Sequence, residues 1–465
     1  MVTARQLPGG DDTIVALATA TGRGAIAVIR LSGAQAISIA RALGACAGAI
    51  PGAFPSASDL SPRRATRVAL RHPNGAPLDD VLVTWFAAPR SYTGEDVVEI
   101  STHGGHVVPA LVLAACVAAG ARPATPGEFT RRAVLNGRMD LVQAEAVADL
   151  IDARSTAMQR QALSQLDGGL SRRLLALRDE VIHLEALIAY DIDFPEEDDG
   201  PIAPARIKNA AESLRDALCA LMHTAPQAAV LRDGVLIVIA GPPNAGKSSL
   251  FNALLGESRA LVTPIAGTTR DAIEAVLDRT PLPLRFVDTA GLRDTDDEIE
   301  RLGIEVSTRY LAQAQVVLAC GANAADIEAT HAVIVSRTSG TVIPVRTKAD
   351  LDVSVSDERA EHVSAETGEG LRELLEAIDR AAVTRVVALP DADDVLVTRE
   401  RHRAGLAVAH DELADFLLAW ESGALPAPVA AVHLYAAREA LSDLIGIVDT
   451  EDVLDRVFRE FCIGK

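Results

Sequence analysis

The chain has 465 residues, of which 49% are hydrophobic, 23% charged and 3% aromatic, and it carries a formal net charge of −20. This composition belongs to a globular protein of about three domains and excludes disorder and a collagen repeat, and so few aromatics make a platform for stacking nucleic-acid bases hard to assemble. Five scattered cysteines with no Cys-x-x-Cys pair exclude a disulfide framework and a thiolate zinc site.

The charge is uneven. Residues 1–138 hold 13 Arg, no Lys and nine Asp or Glu, so this segment is the one expected to meet an anionic ligand. Lysine is confined to Lys208, Lys247, Lys348 and Lys465, and three of these four fall in motifs described below. The longest apolar stretch, 107–121, contains Pro109 and falls short of the ~20 residues of a membrane span. No basic-then-apolar leader opens the chain, so a soluble, cytoplasmic protein is expected.

Residues 12–31 read as a β-hairpin around Gly22-Arg23-Gly24. Strands at 81–86 and 97–100 and a helix at 108–119 follow, which makes 1–138 an α+β domain. From Met139 the period lengthens. Leu170, Leu174, Leu177, Val181, Leu184 and Ile188 recur every three or four residues, a helical seam within a helical segment 139–230. The acidic run 191–199 reads as the solvated end of that helix. A fully apolar strand at 235–240 opens an α/β domain over 231–385, with strand-like runs at 284–287, 316–319, 332–335 and 342–345 and a mostly parallel sheet. Residues 386–465 return to helical periodicity. The expected fold is an α+β N-terminal domain and a discontinuous α-helical domain into which an α/β P-loop domain is inserted.

Gly241-Pro-Pro-Asn-Ala-Gly-Lys-Ser248 fits G-x-x-x-x-G-K-[ST] between an apolar strand and a helix, the context that a phosphate cradle requires. Backbone N–H groups of Asn244, Ala245, Gly246, Lys247, Ser248 and Ser249 would converge on phosphate oxygens, helped by the helix dipole. Lys247 would reach the terminal phosphates and Ser248 would ligate Mg²⁺. Asp288-Thr289-Ala290-Gly291 closes the strand 284–287, where the Asp can hold Mg²⁺ through water and Gly291 can donate to the γ-phosphate. Thr347-Lys348-Ala349-Asp350 follows the strand 342–345. Its carboxylate can accept from guanine N1–H and the exocyclic amine, and would repel adenine. Ser364, Ala365 and Glu366 complete the guanine side.

This order of motifs resembles the translation-factor-related GTPases. Thr347 departs from the usual Asn, which puts the tether between base loop and P-loop in question. Leu292 stands where many GTPases place a water-orienting Gln, so another group must assist hydrolysis. Asn244 offers a carbonyl to a monovalent cation. The segment Thr263-Pro264-Ile265-Ala266-Gly267-Thr268-Thr269 supplies hydroxyls and turn carbonyls that could complete the shell, with Thr269 as second Mg²⁺ ligand; it reads equally as an ordinary switch loop.

Gly267-Thr-Thr-Arg-Asp271, Asp12-Thr-Ile-Val15, Ser91-Tyr-Thr-Gly-Glu-Asp96, His103-Gly-Gly105, Pro126-Gly-Glu-Phe129, Asp140-Leu-Val-Gln-Ala-Glu145 and the ending Cys462-Ile-Gly-Lys465 closely resemble the MnmE (TrmE) family of tRNA-modification GTPases over nearly the whole chain. The resemblance implies a dimerising N-terminal domain in which Arg30, Glu99, Arg138 and Lys465 contact a formyl- or methylene-tetrahydrofolate. Arginine suits the folate's carboxylates and Glu99 the pterin's amino edge. It makes the monovalent cation K⁺, held by Asn244, Thr263, Ile265 and Thr268, and makes Glu300 the residue that positions or activates water. It further implies a homodimer and a MnmG-type FAD protein, joined as a heterotetramer. Together they act on the tRNA wobble uridine, installing an aminomethyl or carboxymethylaminomethyl group.

Cys462 reads either as a nucleophile with a lowered pKa or as a small apolar residue packing a helix end. His103 and His106 read as part of a turn, since no third metal ligand accompanies them. The alternative is a ribosome-assembly switch of the Era or Der type. One P-loop and no KH-like Gly-x-x-Gly module after Arg385 argue against it.

Overall fold

The computed structural model describes residues 12–45, 60–72, 74–153, 155–193, 203–257, 273–278, 282–288, 310–351, 359–385, 395–422, 426–446 and 464. The chain divides into two compact units, residues 1–148 with 445–465, and residues 149–444.

The first unit holds a sheet in the order β3-β4-β5-β2-β1-β6, formed by β1 (Ile14–Leu17), β2 (Ile26–Ser32), β3 (Thr66–Arg71), β4 (Pro77–Phe86), β5 (Val97–His103) and β6 (Arg122–Pro123). The expected hairpin is present, with β1 and β2 antiparallel. Period-two patterning sorts the side chains. Val15, Ile29, Leu31, Val83 and Ile100 face α1 (Ala36–Ala45) and α2 (Val107–Ala118), while Ile14 and Ala16 pack on Phe129 of α3 (Glu128–Leu135). Strand β3 and helix α1 were not apparent in the sequence. Neither the short alternation around Val68 and Leu70 nor the Ala-rich run stands out without the surfaces that cover it. The next helix, α4, spans Leu141–Asp152.

The second unit begins with α5 (Thr156–Leu166), α6 (Gly169–Asp193), α7 (Pro204–Met222) and α8 (Ala225–Asp233). All six residues of the predicted seam are buried along α6. The α/β part follows as β7 (Val235–Ala240), α9 (Lys247–Glu257), β8 (Ile273–Leu277), β9 (Leu284–Asp288), β10 (Val316–Gly321), α10 (Ala324–Val335), β11 (Thr341–Arg346), β12 (Glu361–His362) and α11 (Leu371–Arg385). Its sheet, β12-β11-β10-β7-β9-β8, is parallel except for β8. Strand β7 lies at its centre with every residue buried, as a strand covered on both faces must be.

One expectation fails. Residues 332–335 are the last turn of α10, not a strand. Asn323 caps that helix by accepting from the Asp326 N–H at 3.0 Å, and of the apolar run only Ile334 is buried, with Val333 and Val335 each 53% exposed. A short β-branched run does not distinguish a strand from a helix end by itself.

The chain closes with α12 (Glu400–Ser422) and α13 (Ala427–Ile445). Helices from the two sides of the α/β segment meet. α7 packs on α12, with Lys208 Nζ 2.7 Å from Glu421, and Arg438 of α13 reaches Glu185 of α6 at 3.1 Å.

Candidate functional site

The phosphate cradle grows directly out of β7. Gly241 is required at its first turn, because a Cβ there would lie 2.3 Å from the Cys320 carbonyl oxygen of β10. The backbone then enters the left-handed region at Asn244 (φ 61°) and Gly246 (φ 78°) before α9 begins at Lys247. Lys247 is buried and folds back so that Nζ donates to the Pro242 carbonyl at 2.8 Å. Residues 241–244, Lys247 and Ser248 line a cavity of about 810 Å³. Asp288 ends β9 beside β7, buried, as the motif demands. Burial pushes the Cys320 thiol up to about 12, only partly opposed by the Lys247 charge, so this cysteine under the cradle stays a neutral packing group.

The base loop is bound to the cradle rather than merely near it. Thr347, 3% exposed, donates from Oγ1 to the Ala245 carbonyl at 2.6 Å, and the Gly321 carbonyl lies 3.2 Å away. Lys348, itself at φ 58°, donates from Nζ to the Asn244 carbonyl at 3.0 Å. The exchange of Asn for Thr therefore keeps a tether, because the hydroxyl supplies the one donor it needs. Asp350 Oδ1 accepts from the buried Ser364 hydroxyl at 2.6 Å, which fixes the carboxylate. Asp350, Lys348, Ala365 and Glu366 line an adjoining cavity of about 360 Å³ that shares Gly246, Ser249 and Lys348 with the phosphate cavity. Ala349 donates its N–H to the Val363 carbonyl, which holds the two base-side loops together.

In the first unit, Arg30 on β2 lies opposite Glu99 on β5. Its Nε and Nη2 donate to Glu99 Oε1 at 3.0 and 2.8 Å. Among the described residues, Glu99 Oε2 carries no hydrogen bond. The guanidinium lies 5.4 Å from the centre of the Tyr92 ring and 5.9 Å from that of Phe129. The Gly464 carbonyl, next to the chain's last residue, stands 3.5 Å from Arg30 Nη1. Gly464 must be glycine there, since at φ 100° a Cβ would meet the Leu17 carbonyl at 2.3 Å. Arg138 donates from Nε to the Ser91 carbonyl at 3.1 Å, beside Tyr92. Three predicted folate contacts thus gather around one loop.

Thr263, Pro264, Ile265, Ala266, Gly267, Thr268, Thr269, Thr289, Ala290, Gly291, Leu292, Glu300, Cys462 and Lys465 lie outside the described residues. His103 pairs with Asp79 at 2.7 Å. Among the described residues, the group of three metal-capable side chains within 4.8 Å is Glu412, Asp415 and His433, which includes neither His103 nor His106.

Sequence reasoning missed Arg132. It is buried on α3 and bonds Asp12 at 2.6 Å, Glu95 at 3.1 Å and Glu128 at 3.1 Å. Burial pushes the Asp12 and Glu128 carboxyls up, but Arg122 and Arg132 outweigh it and hold both below the usual range. All three carboxylates stand in motifs already singled out, so the available signal was three acids without a base. The Ser91–Asp96 motif is likewise architectural: Ser32 Oγ reaches Thr93 Oγ1 and Glu95 Oε2 at 2.6 Å each, and Asp96 accepts from Trp85 Nε1 at 3.2 Å.

A cradle opening from the middle of a mostly parallel sheet, and clamped to the loop that carries Asp350, makes the α/β part of the second unit a P-loop GTPase domain. The chain also matches the family described as GTP-binding protein TrmE N-terminus over residues 13–138 and that described as MnmE helical domain over residues 141–462. It is 42% identical to the tRNA modification GTPase MnmE of Azoarcus sp. (strain BH72), across 99% of this chain and 100% of that protein. The proteins of the same name from Akkermansia muciniphila and Dechloromonas aromatica are 42% and 40% identical, with 98% of this chain covered and 99% and 100% of theirs. The chain belongs to the MnmE family of tRNA modification GTPases. No helix among the described residues is long and apolar enough to cross a membrane.

Proposed function

We propose that the chain hydrolyses GTP to drive modification of the tRNA wobble uridine, as a homodimer working with a MnmG-type FAD protein in a heterotetramer. The one-carbon donor is a formyl- or methylene-tetrahydrofolate held by Arg30, Glu99, Arg138 and Lys465. The single observation that carries the nucleotide reading is the pair of hydrogen bonds that Thr347 and Lys348 donate to P-loop carbonyls, which would join base and phosphate recognition in one surface. The folate reading is supported by Glu99 Oε2, which carries no hydrogen bond among the described residues, and by the ring-flanked Arg30 guanidinium, a flat acceptor and donor edge suited to a pterin and a carboxylate. The proposed domains are 1–138, 139–230, 231–385 and 386–465.

In hydrolysis, Lys247 Nζ exchanges the Pro242 carbonyl for phosphate oxygens, and cradle N–H groups take up the charge that develops on them. Ser248 and Thr269 would hold Mg²⁺, Asp288 would reach it through water, and Glu300 would position or activate the attacking water. Asn244 is exposed on the cavity wall, where its amide oxygen fits a monovalent cation, with Thr263, Ile265 and Thr268 as further donors. When bound, K⁺ supplies positive charge beside the phosphates, as an arginine does elsewhere.

GTP turnover measured in K⁺ and in Na⁺, for wild type and Asn244→Ala, tests this reading. Faster turnover in K⁺, lost in the variant, is expected; equal rates in both salts for the wild type defeat the cation mechanism.

A further inference from the structure

We propose that Thr347 and Lys348 are positioning residues for Asn244, so that reading the guanine base and shaping the cation site are coupled. The inference rests on the K⁺ reading above for the identity of the cation, but on observed geometry for the coupling. Asn244 is a non-glycine residue at φ 61°, in the left-handed region, so the direction of its peptide depends on the contacts that its carbonyl makes.

What holds it is the base loop. Lys348 Nζ takes the carbonyl of Asn244 itself, and Thr347 Oγ1 takes that of Ala245, the next residue. The two peptide carbonyls that follow Asn244's left-handed turn therefore both point into donors from one dipeptide, and Lys348 is itself left-handed at φ 58°. The Thr347 hydroxyl is enclosed, so water does not replace it when it is lost.

The two partners have different duties. Thr347 is a strut, buried and bonded to the Ala245 carbonyl. Lys348 lines both the base cavity and the phosphate cavity, so a guanine resting against its stem holds its ammonium on the Asn244 carbonyl. Base binding thereby steadies the peptide that aims the Asn244 amide. A purine that Asp350 rejects would leave Lys348 without that support and Asn244 less well aimed.

The test uses full-length protein with Thr347→Val, which keeps shape and loses the hydroxyl, and Thr347→Ser, which restores it. The readouts are release of mant-GDP in K⁺ and in Na⁺, and the K⁺ concentration that half-activates GTP hydrolysis. Thermal melting confirms that each variant is folded. The Val variant is expected to release mant-GDP about tenfold faster and to need about tenfold more K⁺, with Ser returning both toward wild type. A folded Val variant with wild-type release and wild-type K⁺ demand overturns the proposal. Faster release with unchanged K⁺ demand overturns the coupling and leaves a tether alone. A wild-type protein indifferent to K⁺ against Na⁺ sinks the cation reading itself, and is seen before any variant is made.

Discussion

Glu99 meets Arg30 because two antiparallel strands bring together residues 69 apart in sequence, and the Gly464 carbonyl joins them from the other end of the chain. Asn244, Gly246 and Lys247 form the proposed phosphate cradle because they follow one another along a single turn. The first site is made of side chains brought together by register; the second is made largely of backbone shaped by local φ angles. A backbone site tolerates many side-chain changes and fails sharply at a few. A register site spreads its dependence over the elements that hold the sheet in place.

The sharpest contrast comes from Lys247→Ala. The lysine is buried in the cradle and, on the proposed reading, acts directly on the phosphates, so GTP turnover is expected to fall by about a hundredfold or more. Binding of a reduced folate, followed by calorimetry, is expected to survive. Loss of both would show that the two sites are not built independently.

Arg132→Gln tests the register side through stability. It leaves Asp12, Glu95 and Glu128 without their shared cation and is expected to destabilise the first unit by about 3 kcal/mol. Unfolding of so large a chain is not one transition, so a probe of this unit alone is needed. Trp85 serves in a Trp420→Phe background, since these are the chain's two tryptophans. Asp12 and Glu128 titrate below their unfolded values, so their contribution is complete above about pH 4.5 and drains away as pH falls through the lowered pKa values. The variant should flatten that acid limb; an unchanged limb would mean that Arg132 is not its origin.

The smallest expected effect is at Arg30. Arg30→Ala removes one proposed charge-assisted partner of the folate and should weaken reduced-folate binding about tenfold or somewhat more. Unchanged affinity would remove Arg30 from the folate site and leave its pairing with Glu99 as a purely structural strut.

Much of the nucleotide site was readable in advance, because a phosphate cradle needs a short run of particular residues between an apolar strand and a helix, and each part leaves its own letter. Residues 332–335 show where such reading stops: Ala-Val-Ile-Val suits a strand, and the cap at Asn323 together with the one-sided burial of Ile334 made it a helix end. Thr347 shows another kind of limit. As a departure from a motif it suggested a weakened tether, and only the 2.6 Å approach to Ala245 revealed that a hydroxyl suffices.

Taken alone, the sequence determined that the chain carries a P-loop motif between a strand and a helix and a long helical seam, since these depend on neighbours three or four residues away or on consecutive backbone angles. The tertiary structure decided the rest: the facing of Arg30 and Glu99, the approach of Gly464, the enclosure of Arg132 by three acids and the clamp of Thr347 and Lys348 on the P-loop. Each of these is a contact between distant segments, and its energy depends on burial and distance, which no local pattern encodes.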